Sequence, residues 1–260
     1  MKIVRFSKPD QAGYGILEGD EIIEILKPAG DWDVESLKPA GKRYDPATVK
    51  LLAPVEPSKI ICLGLNYRSH AEEVKLPLPK RPIIFLKPPT AVTGPGETIR
   101  YPEKSRRVDY EAELGVVIGR KAYQVAPSQA LDYVLGYTCA NDITARDLQP
   151  ARGNWTYAKS FDTFCPLGPV LETAIKNPEG LHINGYLNGE LKQSAPTSHH
   201  IFTVAELISF ISDCMTLLPG DVIITGTPAG IGRLNPGDEF VVEIEGIGRL
   251  KSIMGKKTGE

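Results

Sequence analysis

The chain has 260 residues, enough for one large domain with a small appendage or for two modest domains. Its 42% hydrophobic and 24% charged content is that of a globular protein, and a net charge of −2 without a basic block argues against a nucleic-acid footprint. No apolar run approaches the roughly 18–20 residues that span a bilayer, so no membrane partner is expected.

In chain order, MKIVRF (1–6) and YGILEGDEIIEI (14–25) read as strands, with hairpin-turn chemistry at Glu18–Gly19–Asp20. This amino terminus lacks the long apolar stretch of a signal peptide. A Pro- and Lys-rich segment runs from Leu37 to Tyr44, and the prolines between Pro54 and Pro57 suit a linker. The expected division is therefore a small N-terminal β domain, 1–54, and a main domain, 55–260.

Beyond the linker, residues 82–88, 110–119, 133–142 and 221–228 are predicted strands, and 240–254 a final long strand or hairpin. Asn188–Gly189, between strand-like flanks, signals a second hairpin. A short helix is predicted from Pro127 to Val134. A longer one starts at Thr203, where Glu206 completes a capping box; Val204, Leu207, Ile208, Ile211, Met215 and Leu218 keep helical spacing until Pro219–Gly220–Asp221. The class is α+β with a β-rich core. Neither βαβ alternation nor a G-x-G-x-x-G motif supports a nucleotide-binding unit. Cys62, Cys139, Cys165 and Cys214 form no C-x-x-C pair and read as incidental thiols of a reducing cytoplasm.

The chemistry concentrates in carboxylates. Along VDYEAELGVVIG, Asp109, Glu111 and Glu113 share one face of a strand that then turns apolar. Side by side they repel one another, and either solvent exposure or a bound cation relieves that. The following strand ends at Asp142, where a ligand from a neighbouring strand would converge. Glu111, Glu113 and Asp142 would offer only oxygen ligands, which suits Mg²⁺, Mn²⁺ or Ca²⁺; zinc is disfavoured because no His or Cys stands at ligand spacing.

The ordered motifs DYEAELGVVIG, NDITARDLQ, WTYAKSFDTFCPLGP and GDVIITGTPAGIG resemble the fumarylacetoacetate hydrolase superfamily over roughly residues 57–254. Residues 1–53 resemble the small extra domain of many members. The resemblance implies a mixed β-roll or β-sandwich, a homodimer, and one divalent metal per site. Its members cleave or form carbon–carbon bonds, decarboxylate, or isomerise 2-oxo acids, in part within aromatic catabolism. It carries Glu111, Glu113 and Asp142 over as metal ligands. Arg146, Gln149 and Lys159 become groups that bind the oxo-acid end and stabilise negative charge, and Thr227 a contact to the substrate carboxylate. CLGLNYRSHAEEV resembles the start of a lid in the acylpyruvase-like branch. There Ser69 and Glu72 fit a capping box, leaving His70 and Glu73 at i, i+3 as a general-base pair.

The expectation is metal-dependent hydrolysis or decarboxylation of a small 2-oxo acid such as an acylpyruvate or oxaloacetate. The alternatives are isomerisation or decarboxylation of a 2-oxo-ene-dioate, and an idle metabolite-binding homologue. Fumarylacetoacetate hydrolase proper adds a ligand aspartate just upstream of its histidine; Cys62–Asn66 offers none. The short loop Pro150–Asn154 bears on substrate size. Three other features are set aside: His199–His200 as a solvated loop, His182 as structural or exposed, and Lys87 as an edge-strand lysine.

Overall fold

The computed structural model describes every residue except 10, 27–29, 33, 152 and 258–260. Three sheets carry the fold, and the class is the strand-rich α+β read from the sequence. The largest sheet runs in the order 39–44, 21–25, 12–18, 2–7, 165–172, 134–141, 112–118, 222–224, 60–64 and 83–87. Strand Lys2–Ser7 pairs with Cys165–Glu172 (Lys2↔Glu172, Ile3↔Leu171), so one sheet runs from the N-terminal residues into the rest of the chain. A five-stranded sheet (190–196, 182–187, 239–244, 248–257, 98–101) and a three-stranded one (144–145, 108–110, 232–234) complete the set.

Ala112–Ile118 is buried at every residue because it lies centrally, between Val134–Asn141 and Val222–Ile224. That is why AELGVVI is almost continuously apolar instead of alternating. Both predicted hairpins form. Asn188 and Gly189 have φ of 51° and 83°, the left-handed pair that a two-residue turn between twisted strands requires.

Local chemistry also departs from the expectations. Strand 110–119 is broken at Glu111: Val108–Tyr110 belongs to the small sheet and Ala112–Ile118 to the large one. Only Val222–Ile224 of 221–228 is strand, and Leu37–Tyr44 contains the strand Pro39–Tyr44. Pro127–Tyr133 is a 3₁₀ helix, and the described α-helices are α1 (Arg68–Glu73), α2 (Thr156–Lys159) and α3 (Val204–Cys214). The capping box at Thr203 and Glu206 opens α3. The helix ends before Met215, which is extended, so Met215 and Leu218 lie beyond it. Its alternative start signal fails elsewhere: α1 is capped by Tyr67 without a side-chain bond, and Ser69 and Glu72 lie inside it. None of the described helices is long and apolar enough to cross a membrane.

Candidate metal and acid–base site

The break at Glu111 builds the site. Asn141, at the end of its strand, accepts the Glu111 N–H through its side chain (3.0 Å), and the Asp142 N–H donates to the Glu111 carbonyl (3.0 Å). Two carboxylate-bearing residues are thus pinned by each other's backbone. Glu113 follows on the central strand, where the Gly226 N–H donates to its Oε2 at 2.6 Å. The three carboxylates are buried, with one oxygen of each within 4.8 Å of the others. Asp109 is not among them; its carboxylate is taken by Arg107 (2.8 and 3.1 Å) and Arg146 (2.9 Å).

Cations surround this group unevenly. Lys159, at the end of α2, donates to Glu111 Oε2 (2.8 Å) and Asp142 Oδ2 (2.6 Å), and Arg146 pairs with Glu111 Oε1. Burial pushes the Glu111 carboxyl up, but Lys159 and Arg146 outweigh it and hold it below the usual carboxylate range. Burial likewise opposes the Lys159 charge, yet Asp142 and Glu111 raise its ammonium to about 12. Glu113 makes no ion pair among the described residues: burial, then Asp142 and Glu111, push its carboxyl well above the usual range against the pull of Lys159. A proton or a bound cation is therefore favoured at Glu113.

Lys87 corrects the sequence reading. It does lie on the edge strand Ile83–Lys87, but its side chain turns inward and is 1% exposed. Its ammonium donates to the carbonyls of Ile143 (3.1 Å), Lys159 (2.5 Å) and Phe164 (2.8 Å) and lies 2.7 Å from Asp142 Oδ1. That last approach is an ion pair without hydrogen-bond geometry, so Asp142 Oδ1 keeps an unused buried lone pair. No pattern in FLKPP marks this role, because the carbonyls that hold Lys87 come from three other segments.

Opposite the carboxylates stands α1. His70 Nδ1 lies 3.0 Å from Glu73 Oε2, and Gly230 N–H donates to Glu73 Oε1 at 2.9 Å. A carboxylate accepts, so in the neutral ring Nδ1 carries the proton and Nε2 is the nitrogen free to accept one. Ser69 adds a weaker tie by accepting from the Ala229 N–H (3.4 Å). A cavity of about 200 Å³ separates the two walls. Its lining includes His70, Glu111, Glu113, Arg146, Gln149, Lys159 and Thr227, so of the expected site residues only Asp142 and Glu73 stand behind its surface. Gln149 accepts from Arg146. The Thr227 hydroxyl donates to the Ala112 carbonyl (3.0 Å) and accepts from Gln193 (2.7 Å), so its proton is already committed. The rest of the lining is largely apolar and includes Leu63, Leu65, Val74, Leu76, Phe85 and Trp155. Arg152, in the loop Pro150–Asn154, lies outside the described residues.

The histidines set aside divide. His182 and His199 are exposed, but both ring nitrogens of His200 are shut off from solvent without a partner, and its ring packs edge-on to Tyr67 (centroids 4.7 Å apart). A solvated loop is therefore wrong for His200, which an antiparallel bridge to Tyr67 draws inward.

The donor set fits a hard divalent cation. Three buried carboxylates, with an Asp142 oxygen that accepts no hydrogen bond and a Glu113 carboxyl that makes no ion pair, form an all-oxygen group, and no His or Cys joins it among the described residues.

Comparison with known proteins identifies the family. The family model described as fumarylacetoacetate (FAA) hydrolase C-terminal matches residues 59–254, and one described as Rv2993c-like, N-terminal matches residues 1–54. Protein Rv2993c of Mycobacterium tuberculosis is 42% identical over 262 residues, covering 99% of each chain. The oxaloacetate tautomerase YisK of Bacillus subtilis is 42% identical over 255 residues, 92% of this chain and 85% of that one. The crystal structure of a 2-hydroxyhepta-2,4-diene-1,7-dioate isomerase from Mycobacterium marinum superposes with a TM-score of 0.90 at 40% identity, covering 100% of both chains. The chain belongs to the fumarylacetoacetate hydrolase family.

Proposed function

We propose that this protein is a divalent-metal-dependent enzyme, cytoplasmic and homodimeric, that moves a proton on the carbon beside the keto group of a small 2-oxo acid. The carrying observation is one cavity with a cation-ready carboxylate triad on one wall and an imidazole nitrogen free to accept a proton on the other. Glu111, Glu113 and Asp142 would hold Mg²⁺ or Mn²⁺, which supplies Lewis acidity toward the oxygens of a 2-oxo acid when bound. Arg146 and Gln149 line the same end and orient the carboxylate. His70 Nε2 takes the proton from the carbon, and Glu73 stabilises the imidazolium that forms. The Lys159 ammonium offsets the negative charge developing on the keto oxygen, and His70 returns the proton to complete the enol. No atom is lost or gained.

Hydrolysis and decarboxylation also pass through an enolate, that of the pyruvate fragment left when the carbon–carbon bond breaks. Proton transfer is favoured because hydrolysis also needs donors for an oxyanion at a second carbonyl, and the lining beyond the charged residues is largely apolar. The Trp155 indole N–H there already donates to the Pro150 carbonyl at 3.2 Å. Relatives named oxaloacetate tautomerase support the same choice. The test is decay of enol oxaloacetate on chelator-stripped protein with and without Mg²⁺ or Mn²⁺, with pyruvate release followed separately. An acylpyruvate and a 2-oxo-ene-dioate run in parallel. Metal-restored enol decay without pyruvate supports the proposal; stoichiometric pyruvate or acylpyruvate cleavage replaces it with lyase or hydrolase chemistry.

A further inference from the structure

Gln193 belongs to neither wall of the cavity, yet its hydrogen bonds reach toward both. It lies on strand Glu190–Pro196 of the five-stranded sheet and is fully buried. Its Oε1 accepts the Ala112 N–H at 2.9 Å, at the peptide between Glu111 and Glu113. Its Nε2 donates to Thr227 Oγ1 (2.7 Å) and to the Pro228 carbonyl (2.8 Å), which uses both amide hydrogens. Thr227 closes a ring by donating to the Ala112 carbonyl (3.0 Å).

From this ring the chain runs to Gly230, whose N–H holds Glu73 and through it His70. The seat is tight. Gly230 has φ of +102°, and a Cβ there would lie 2.0 Å from the Lys192 carbonyl, so the loop rests directly on the strand that carries Gln193. We infer that Gln193 is a positioning residue that couples the metal-ligand strand to the base helix through the ring with Thr227. The inference rests on the proposed reading of the carboxylates as metal ligands and His70 as base.

Gln193→Met keeps the length and volume of the side chain and removes all three hydrogen bonds. Glu73→Ala breaks the link between the loop and His70 without touching Gln193. Two readouts need no turnover: Mn²⁺ titration of the chelator-stripped full-length protein, and the ¹⁵N resonances of its four histidines at about pH 8, with His70 assigned by His70→Asn. The wild type should show His70 locked with its proton on Nδ1. Gln193→Met should weaken Mn²⁺ about tenfold, the lower end for groups that orient metal ligands, and should release His70 into a tautomer mixture. Glu73→Ala should release His70 while keeping Mn²⁺ affinity within about twofold, since the ring of Gln193, Thr227 and Ala112 survives.

Thr227→Val opens the same ring from the loop side and carries the test if Gln193→Met does not fold. Gln193→Met or Thr227→Val with wild-type Mn²⁺ affinity, or with His70 still locked, overturns the coupling. A wild type that binds no Mn²⁺ overturns the metal reading itself and the coupling with it.

Discussion

The two walls of the cavity are built on opposite plans. Glu111, Glu113, Asp142, Lys159 and Lys87 are all under 5% exposed and stand at strand ends or in helix α2, with their backbones locked into the sheets. The proposed base, His70, stands on a six-residue helix without a side-chain cap, with the Glu73 side chain 30% exposed and tied to the loop at Gly230. Fixed charge belongs in the core, where nothing relaxes away from it; a short, lightly held helix is what a substrate can pass. Losses on the first wall should therefore affect binding and folding, and losses on the second should affect rate.

The largest effect is expected from Glu113→Ala. It removes the carboxylate whose charge only a cation or a proton relieves, so metal binding and turnover should disappear together, turnover by about a thousandfold or more. A fully active variant would remove Glu113 from the ligand set. His70→Ala should cut kcat by about a hundredfold while oxalate, used as an inert competitor, binds almost as before. Equal losses in both would make His70 a substrate contact and would erase the contrast between the walls.

Folding should show the same asymmetry. Lys87→Met leaves the Asp142 charge short of a buried partner and strands three carbonyls, at a cost of about 3 kcal/mol in denaturant unfolding. Glu73→Gln, at a pair whose carboxylate side chain is 30% exposed, should cost under about 1 kcal/mol. Similar costs for both would mean that the base wall is as rigid as the core.

The same asymmetry explains what could be read in advance. Strand periodicity, the Asn188–Gly189 turn and the Thr203 capping box are local signals, and each appears where the residues put it. The convergence of Glu111, Glu113 and Asp142 was legible because two adjacent strands carry them, one residue beyond the Ala112↔Asn141 pairing. Lys87 and Gln193 were not, because their partners come from segments 25 or more residues distant, and no spacing records which carbonyls a buried ammonium will find. Ser69 and Glu72 show the converse error. The cap motif is present in sequence, but the bridge between Tyr67 and His200 starts the helix earlier.

A smaller effect is expected in the apolar part of the lining. The Trp155 ring stands edge-on to Phe85 (centroids 5.5 Å apart) and fits only because residue 64 is glycine; a Cβ there would lie 2.3 Å from the indole. Trp155→Ala should enlarge the cavity and raise kcat/KM for a 2-oxo acid with a longer tail about tenfold relative to oxaloacetate. An unchanged ratio would place the size limit elsewhere.

The smallest effect should appear in the pH dependence of stability, and it tests what lies behind the base wall. Burial lowers the His200 imidazole from its ordinary 6.5 to about 3. The unfolded chain therefore takes up a proton below about pH 6.5 that the native state refuses until about pH 3, so stability contributed by the neutral ring is lost as pH falls through that window. Glu113 acts with the opposite sign in the metal-free protein. Its raised carboxyl binds a proton in the native state that the unfolded chain has released, so acidification stabilises the fold there. Comparing variants cancels that contribution: His200→Phe keeps a ring against Tyr67 but cannot be charged. Its denaturant midpoint should fall less than that of the wild type between about pH 6.5 and 4.5, by on the order of 1 kcal/mol. Parallel slopes would mean that His200 reaches water in solution, and that the floor under α1 is as open as its solvent face.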